Sequence, residues 1–451
     1  MKREHLLKIG VSGIRGVVGP FLTPSLATAY AQAFGSYVGA GRVVVGRDTR
    51  RSGPMLQHAV TCGLLAAGCE PVDVGVLPTP TIQVYVGATR ARGGIALTAS
   101  HNPAEYNALK LFNSDGLFFN HYEREELLDL YHQSDFVQAP NAQIRGVLRE
   151  PNAARVHLGR VLKQVDAGRI RARRFRVALD AVNGAGSVLT PGFLERDLGC
   201  ELHAISIDPL QPFPREAEPK PDTLGELSEL VRRRGCDVGF AQDPDGDRLA
   251  IADETGEVLD NDDVLALAVD AALARLPGDV AVNLTTSSVI DDIAARYGRR
   301  VFRTPVGEAN VVEGMLASKA VIGGEGSNGG IIFPAVHLCR DSYLGMALVL
   351  GRLEETGMAM SELRRSLPRS FRRFGKVPFE HGRLGAWMLA LERRLPGANA
   401  DRTDGLKLIT EDGWLHVRSS NTEPVVRIAA EAKREERAEE LFRIAAQNES
   451  A

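Results

Sequence analysis

Three carboxylates alternate along Asp243-Pro-Asp-Gly-Asp-Arg248, so Asp243, Asp245 and Asp247 crowd hard oxygen ligands into six residues. That donor set suits a divalent cation, and Pro244 and Gly246 let the backbone wrap around one. An EF-hand is excluded. Glu254 does fall at the twelfth position, but Arg248 stands sixth, where a calcium loop needs glycine, and the flanks VGFA and LAIA read as strands, not helices. A second segment runs from Thr98 to Lys110. Ser100 lies just past the apolar strand GIALT, where α/β sheets present their ligands, and Asn102-Pro103 forces a turn that faces Ser100 outward. Read alone, this is also what a plain polar turn looks like. No G-x-S-x-G elbow surrounds the serine, so a hydrolase nucleophile is not indicated.

Two further loops complete the set. Residues 324–329 spell G-x-G-x-x-G, yet Ile331-Ile-Phe-Pro334 follows and cannot open the helix that a dinucleotide site requires. What remains is a loop displaying Glu325, Ser327 and Asn328, groups suited to sugar hydroxyls. Arg418-Ser-Ser-Asn-Thr-Glu-Pro-Val-Val-Arg427 joins two strands. Its hydroxyls, amide and backbone N–H groups make an anion nest, to which Arg418 and Arg427 add charge-assisted bonds; arginines beside a turn are also what a solvated face shows. The chain has no G-x-x-x-x-G-K-[ST], which excludes an NTP-hydrolysing P-loop.

These loops need a scaffold, and the apolar runs supply one. GRVVVGRDTRRS, FRVALDAVNGAGS and GDVAVNLTTSSV each read as a buried strand, a polar loop and a helix start. That is the pattern of βαβ units around largely parallel sheets, and it hints at a threefold repeat, though any α/β chain looks similar. From about residue 367 the pattern changes to strands near Leu406–Ile409, Leu415–Arg418 and Val425–Ile428 with a charged terminal helix, a small α+β domain. A length of 451 residues predicts about two to four domains. Lys plus Arg total 54 against 57 Asp plus Glu, a net charge of −3, which argues against a general nucleic-acid or membrane-surface binder. The five arginines within Arg169–Arg176 read as a solvated face. The five cysteines are scattered without a C-x-x-C pair, so neither a zinc ribbon nor a disulfide framework is indicated. The start lacks a signal peptide's apolar stretch and no run is long enough to span a bilayer, so the expected location is the cytoplasm.

The loops together suit phosphoryl transfer on a phosphosugar without ATP. In sequence and order they resemble the α-D-phosphohexomutases, the family of phosphoglucomutase, phosphomannomutase and phosphoglucosamine mutase. The motifs are V-S-G-I-R-G at 11–16, T-A-S-H-N-P at 98–103, D-P-D-G-D-R at 243–248, G-E-G-S-N-G-G at 324–330 and R-S-S-N-T-E-P at 418–424. The resemblance spans essentially the whole chain. It implies three similar α/β mixed-sheet domains (1–149, 150–254, 255–366) and a C-terminal α+β domain (367–451) around the central cleft of a heart-shaped molecule. It implies a phosphoserine at Ser100, with Mg²⁺ held by Asp243, Asp245, Asp247 and the Ser100 phosphate, and Arg15 and Arg248 flanking it. Lys110 becomes the candidate general acid/base. Glu325 and Ser327 would hold sugar hydroxyls, and Arg418, Ser420, Asn421 and Thr422 the non-reacting phosphate. The implied reaction moves phosphate between O6 and O1 through a bisphosphorylated sugar, with a hexose 1,6-bisphosphate as activator, a phosphosugar as the only partner and no obligatory protein partner.

One departure stands out. Many members carry G-E-x-S-G-H in the sugar loop, whereas this chain has Gly329 at the histidine's place. The variant, with Val306-Gly-Glu-Ala-Asn-Val311 upstream, resembles the archaeal-type branch, and His337 is the candidate replacement, though a lone histidine is more often structural. Among substrates the loop variants favour glucosamine phosphate, with a phosphomannomutase/phosphoglucomutase as the alternative. A Mg²⁺-dependent sugar-phosphate phosphatase and a silent sugar-phosphate sensor are more distant readings.

Overall fold

The computed structural model describes residues 7–10, 13–378, 382–419 and 425–447. The chain forms two compact units, one of residues Met1–Val264 with Asn328–Leu363, the other of Leu265–Ser327 with Arg364–Ala451.

In the first unit the N-terminal sheet contains β1 (Leu7–Gly10), β2 (Gly13–Val17), β3 (Arg42–Arg47), β4 (Glu70–Val76), β5 (Gly93–Leu97), β6 (Tyr106–Phe112) and β7 (Leu148–Arg149), in the order β1-β2-β6-β5-β3-β4-β7. The strands β3, β4 and β5 are parallel, while β6 runs antiparallel to both β5 and β2. The run Val43-Val-Val45 is apolar without alternation because both faces of β3 are covered. Helices Pro24–Val38 and Gly53–Ala66 share one core with Val43, Val45, Ile95 and Leu97, and Ile82 and Val86 of helix Thr79–Thr89 share another with Val44 and Ala96. Thr23 caps the first of these helices, its hydroxyl accepting from Leu26 N. The β2–β6 register pairs Gly13 with Lys110 and Arg15 with Ala108. Since side chains alternate along a strand, Arg15 and Lys110 emerge on the same face.

A second sheet in this unit holds β8 (Arg176–Asp180), β9 (Glu201–Ile205), β10 (Val238–Gln242) and β11 (Leu249–Asp253), in the order β11-β10-β8-β9. The connection between the antiparallel β10 and β11 is the aspartate loop itself, closed by the Gln242–Leu249 pair. All five arginines of Arg169–Arg176 are exposed, the solvated face expected of them.

In the second unit β12 (Val280–Asn283), β13 (Val301–Thr304) and β14 (Ile322–Glu325) run parallel. The hairpin that follows, β15 (Gly330–Phe333) and β16 (His337–Arg340), belongs to the first unit. The second unit ends in an antiparallel sheet of β17 (Phe371–Pro378), β18 (Asn399–Asp401), β19 (Leu406–Ile409), β20 (Gly413–Ser419) and β21 (Val425–Ala432), ordered β17-β21-β20-β19-β18. Leu441 and Ala438 of the charged terminal helix Glu435–Ala446 share its core with Leu415, Val417 and Ile428.

The architecture is the expected one of mixed α/β sheets followed by an α+β portion. Two of the expected loops are shorter than their sequence suggests. The segment from Thr98 to Lys110 becomes strand at Tyr106, where Ala-Leu-Lys-Leu-Phe has its aliphatic groups and Lys110 buried. The glycine-rich segment is strand on both sides of a single turn at Gly326–Asn328. Among the described residues no helix is long and apolar enough to cross a membrane.

Candidate active site

Ser100 sits in the turn between β5 and β6, 6% exposed, with φ +49°. A non-glycine residue in the left-handed region costs free energy and has to be held there. Arg50 does the holding. Its guanidinium donates to the backbone oxygens of Ser100 (2.7 Å), Asn102 (2.8 Å), Pro103 (2.6 Å) and Tyr106 (3.0 Å), and its Nε to Asp48 (3.0 Å). All five N–H groups of a fully buried arginine are thus spent on this loop and its support. The Asp48 carboxylate also accepts from Thr98 Oγ1 (2.7 Å), whose oxygen accepts from Ser100 N (3.0 Å). Lysine cannot reproduce a planar five-donor fork. Arg50→Lys is therefore expected to lower kcat roughly a hundredfold through misplacement of Ser100, with KM nearly unchanged. Steady-state kinetics check this, and an unaltered kcat would refute it.

The Ser100 hydroxyl donates to Asp243 Oδ2 at 2.8 Å, which brings the serine turn of the first sheet onto the aspartate loop of the second. Asp243, Asp245 and Asp247 are at most 2% exposed, and one carboxylate oxygen of each lies within 4.8 Å of the others. Asp245 Oδ2 accepts from Thr79 Oγ1 (2.6 Å) and from Lys110 Nζ (2.6 Å), and Thr79 N donates to the Asp245 carbonyl (2.8 Å). The N-terminus of helix Thr79–Thr89 thus locks the loop. Asp247 Oδ2 accepts from Arg340 (2.7 Å) and more distantly from Lys110 (3.4 Å). By contrast, Asp245 Oδ1 and Asp247 Oδ1 are buried without a partner. Orphaned carboxylate oxygens at such depth are costly, and a divalent cation is the group that would satisfy them. The residues therefore fit a metal.

Electrostatics point the same way. Burial, reinforced by Asp245 and Asp247, pushes the Asp243 carboxyl well above its ordinary range. Burial works on Asp245 as well, but the Lys110 ammonium prevails and holds it below. Lys110 pays a desolvation penalty that Asp245 and Asp247 outweigh, so its pKa is raised and it stays protonated. Lys110, Arg340 and Arg248 face the three aspartates, with Arg248 4.0 Å from Asp243 and 3.9 Å from Asp247 and also paired with Glu218. Adding a divalent cation and a phosphate dianion would leave the net charge unchanged. Arg248 Nε and His101 Nδ1 are also buried without a hydrogen-bond partner, while Arg248 Nη1 donates to Glu218. Burial and then Arg248 lower the His101 pKa to about 3. A hydroxyl lodged against carboxylates fit for a metal, with Arg50 and Arg248 close by, is an arrangement suited to phosphoryl transfer.

The second unit carries the other two loops. Glu325, 5% exposed, accepts from Asn283 Nδ2 and Gly307 N, both at 3.0 Å. Ser327 is exposed and Asn328, in the first unit, accepts from Gly330 N. Asp404 accepts from Val306 N (3.0 Å) and lies 3.7 Å from Arg418, so Glu325 and Arg418 share one neighbourhood through Gly307, Val306 and Asp404. Arg418 and Arg427 are direct cross-strand partners on β20 and β21. Like charges directly opposite one another destabilise a sheet, and Asp404 offsets the charge of Arg418. Ser420, Asn421 and Thr422 lie outside the described residues. His337 is placed apart from the aspartate loop: its ring faces Gly116 O at 3.2 Å, and burial lowers its pKa to about 4. The side chain that reaches the aspartates from that strand is Arg340.

Sequence reasoning missed Arg50, Thr79, Arg340 and Asp404. The only signal was the charged string Arg47-Asp-Thr-Arg50 immediately after a buried strand.

All four domain models of the phosphoglucomutase/phosphomannomutase family match the chain: domain I over residues 6–138, domain II over 155–256, domain III over 260–371 and the C-terminal domain over 387–447. The chain belongs to this family and is an isomerase of the mutase class. It is 39% identical over 444 residues to a "phosphoglucomutase/phosphomannomutase" of Thermococcus kodakarensis, covering 96% of each chain. It is 40% identical over 439 residues to a "probable phosphoglucosamine mutase" of Methanopyrus kandleri, covering 96% of this chain and 95% of that protein. The crystal structure of a phosphoglucomutase/phosphomannomutase family protein from Burkholderia thailandensis superposes with a TM-score of 0.82 at 26% identity, covering 97% of this chain and 96% of that one.

Proposed function

We propose that the chain moves a phosphoryl group between O6 and O1 of a hexose phosphate by way of Ser100, with Mg²⁺ at the aspartate loop and a hexose 1,6-bisphosphate as activator. The observation that carries this is the Ser100 hydroxyl donating to Asp243 beside two unpartnered carboxylate oxygens. Asp243, Asp245 and Asp247 would hold the cation, which when bound offsets charge on the phosphoryl oxygens. In the forward step a sugar hydroxyl attacks the phosphorus on Ser100. The new O–P bond forms as the Oγ–P bond breaks. Lys110, kept protonated by Asp245, would give a proton to Oγ and take up the one released by the sugar hydroxyl, so that it ends the step as it began. The bisphosphorylated sugar then turns and returns its other phosphoryl group to Ser100. Arg15 and Arg248 steady the phosphoryl group, Glu325, Ser327 and Asn328 the sugar hydroxyls, and Arg418, Ser420, Asn421, Thr422 and Arg427 the idle phosphate.

The same reading favours glucosamine phosphate as substrate, because several archaeal relatives at 34–40% identity bear the name "probable phosphoglucosamine mutase". A dual mannose/glucose mutase is the second reading, resting on the relative from Thermococcus kodakarensis. Comparing kcat/KM for glucosamine, mannose and glucose phosphates separates them. We expect glucosamine phosphate to lead by about tenfold or more, a difference a few polar contacts supply. Turnover of mannose and glucose phosphates with none on glucosamine phosphate would overturn the preference. The reading divides the chain near residues 150, 255 and 367, the first between the matched segments of domains I and II, the last inside that of domain III (260–371), and puts the enzyme in the cytoplasm with its phosphosugar as partner.

A further inference from the structure

We propose that Arg340 is a positioning residue of the aspartate loop, fixing one oxygen of Asp247 so that the other faces the cation. The inference rests on the reading of the aspartate loop given above. Two glycines of the sugar loop sit at close contacts. Gly329 has φ +66°, and a Cβ there would lie 2.3 Å from the backbone oxygen of Leu249, so no side chain fits at that position. At Gly330 a Cβ would lie 2.4 Å from Cδ and 3.0 Å from Cγ of Arg340. The arginine stem crosses the strand where a residue of the sugar loop would otherwise stand, and its guanidinium ends 2.7 Å from Asp247 Oδ2, leaving Oδ1 buried and unpartnered.

The strand end that carries Arg340 is pinned on its far side. The next residue, Asp341, accepts from the ring of His157 at 2.8 Å, whose other nitrogen meets Thr81 Oγ1 at 2.9 Å, all three buried. Ser342 donates to the Gly246 carbonyl of the aspartate loop (2.6 Å) and accepts from Gln242 Nε2 (2.7 Å). Arg340 is thus tied to the loop it touches by the residues beside it. Its charge also reaches the residues around Ser100, opposing protonation of both Lys110 and His101.

The test is the Mg²⁺ dissociation constant of the full chain by calorimetry, in wild type, Arg340→Met and Gly330→Ala, with kcat and KM measured in parallel. A positioning role predicts weaker Mg²⁺ binding in Arg340→Met, by roughly ten- to a hundredfold as for other residues that orient metal ligands, with kcat falling more than KM rises. If Arg340 were only a nearby cation, its loss would tighten Mg²⁺ binding; that result, or no change, overturns the proposal. Gly330→Ala displaces the stem without touching the charge and is expected to weaken Mg²⁺ binding in the same direction, the double variant being no weaker than Arg340→Met alone. Wild-type affinity in Gly330→Ala, or additive losses in the double variant, would overturn it even if Arg340→Met folds poorly. Wild type that binds no Mg²⁺ would instead refute the reading of the aspartate loop itself.

Discussion

Ser100→Ala is expected to abolish mutase turnover, a loss of at least about four orders of magnitude. The effect follows from what the side chain does, not from any role in the fold. Ser100 Oγ makes its hydrogen bond to Asp243 and the turn is held by Arg50, Asp48 and Thr98 through backbone groups of the loop. Alanine removes the oxygen while leaving that scaffold in place, so the variant should fold with little change in Tm. A bisphosphorylated sugar would have no acceptor for its second phosphoryl group and could not be regenerated. Coupled-assay kinetics with thermal unfolding check both halves, and a variant that keeps even a few per cent of wild-type turnover would show that the phosphoryl group bypasses Ser100.

Asp245→Asn carries the second largest effect. This carboxylate serves Thr79 and Lys110 with one oxygen and offers the other, unpartnered, to the cation. The amide removes the negative charge from the metal side. On the other side it takes the negative charge from beside the buried Lys110, whose remaining carboxylate is Asp247 at 3.4 Å, and breaking one partner of a buried pair costs about 3–5 kcal/mol. Turnover should fall roughly a thousandfold or more. Wild type stripped with a chelator should lose activity and regain it with Mg²⁺, whereas Asp245→Asn should not recover at any Mg²⁺ concentration that saturates wild type. Full rescue would mean that Asp245 is not a ligand.

What was legible in the sequence was whatever lies within a few residues of itself. Asp243, Asp245 and Asp247 share one hairpin turn, and Ser100 follows a five-residue strand, so type and spacing were enough. The buried strands β3, β8, β10 and β12 announced themselves as apolar runs between polar loops. Arg50 and Arg340 were invisible for the opposite reason. Each acts on a segment about 50 or about 90 residues away, and a lone arginine looks the same whether it faces solvent or a backbone turn. Lys110 was legible as a residue but not as part of a strand, because the polar head of its segment hides the apolar tail. His337 illustrates the limit on the other side: nearness in sequence singled it out, but only the path of the chain shows that its ring faces Gly116 and that Arg340, three residues on, reaches Asp247.

Passage of the phosphoryl group through Ser100 is read by mass analysis of the protein after brief exposure to hexose 1,6-bisphosphate labelled in one phosphate. The expected result is one labelled phosphoryl group on the peptide containing Ser100, chased off by unlabelled hexose monophosphate as fast as the enzyme turns over. A fully active enzyme with no label on Ser100, or with label that does not chase, would contradict it.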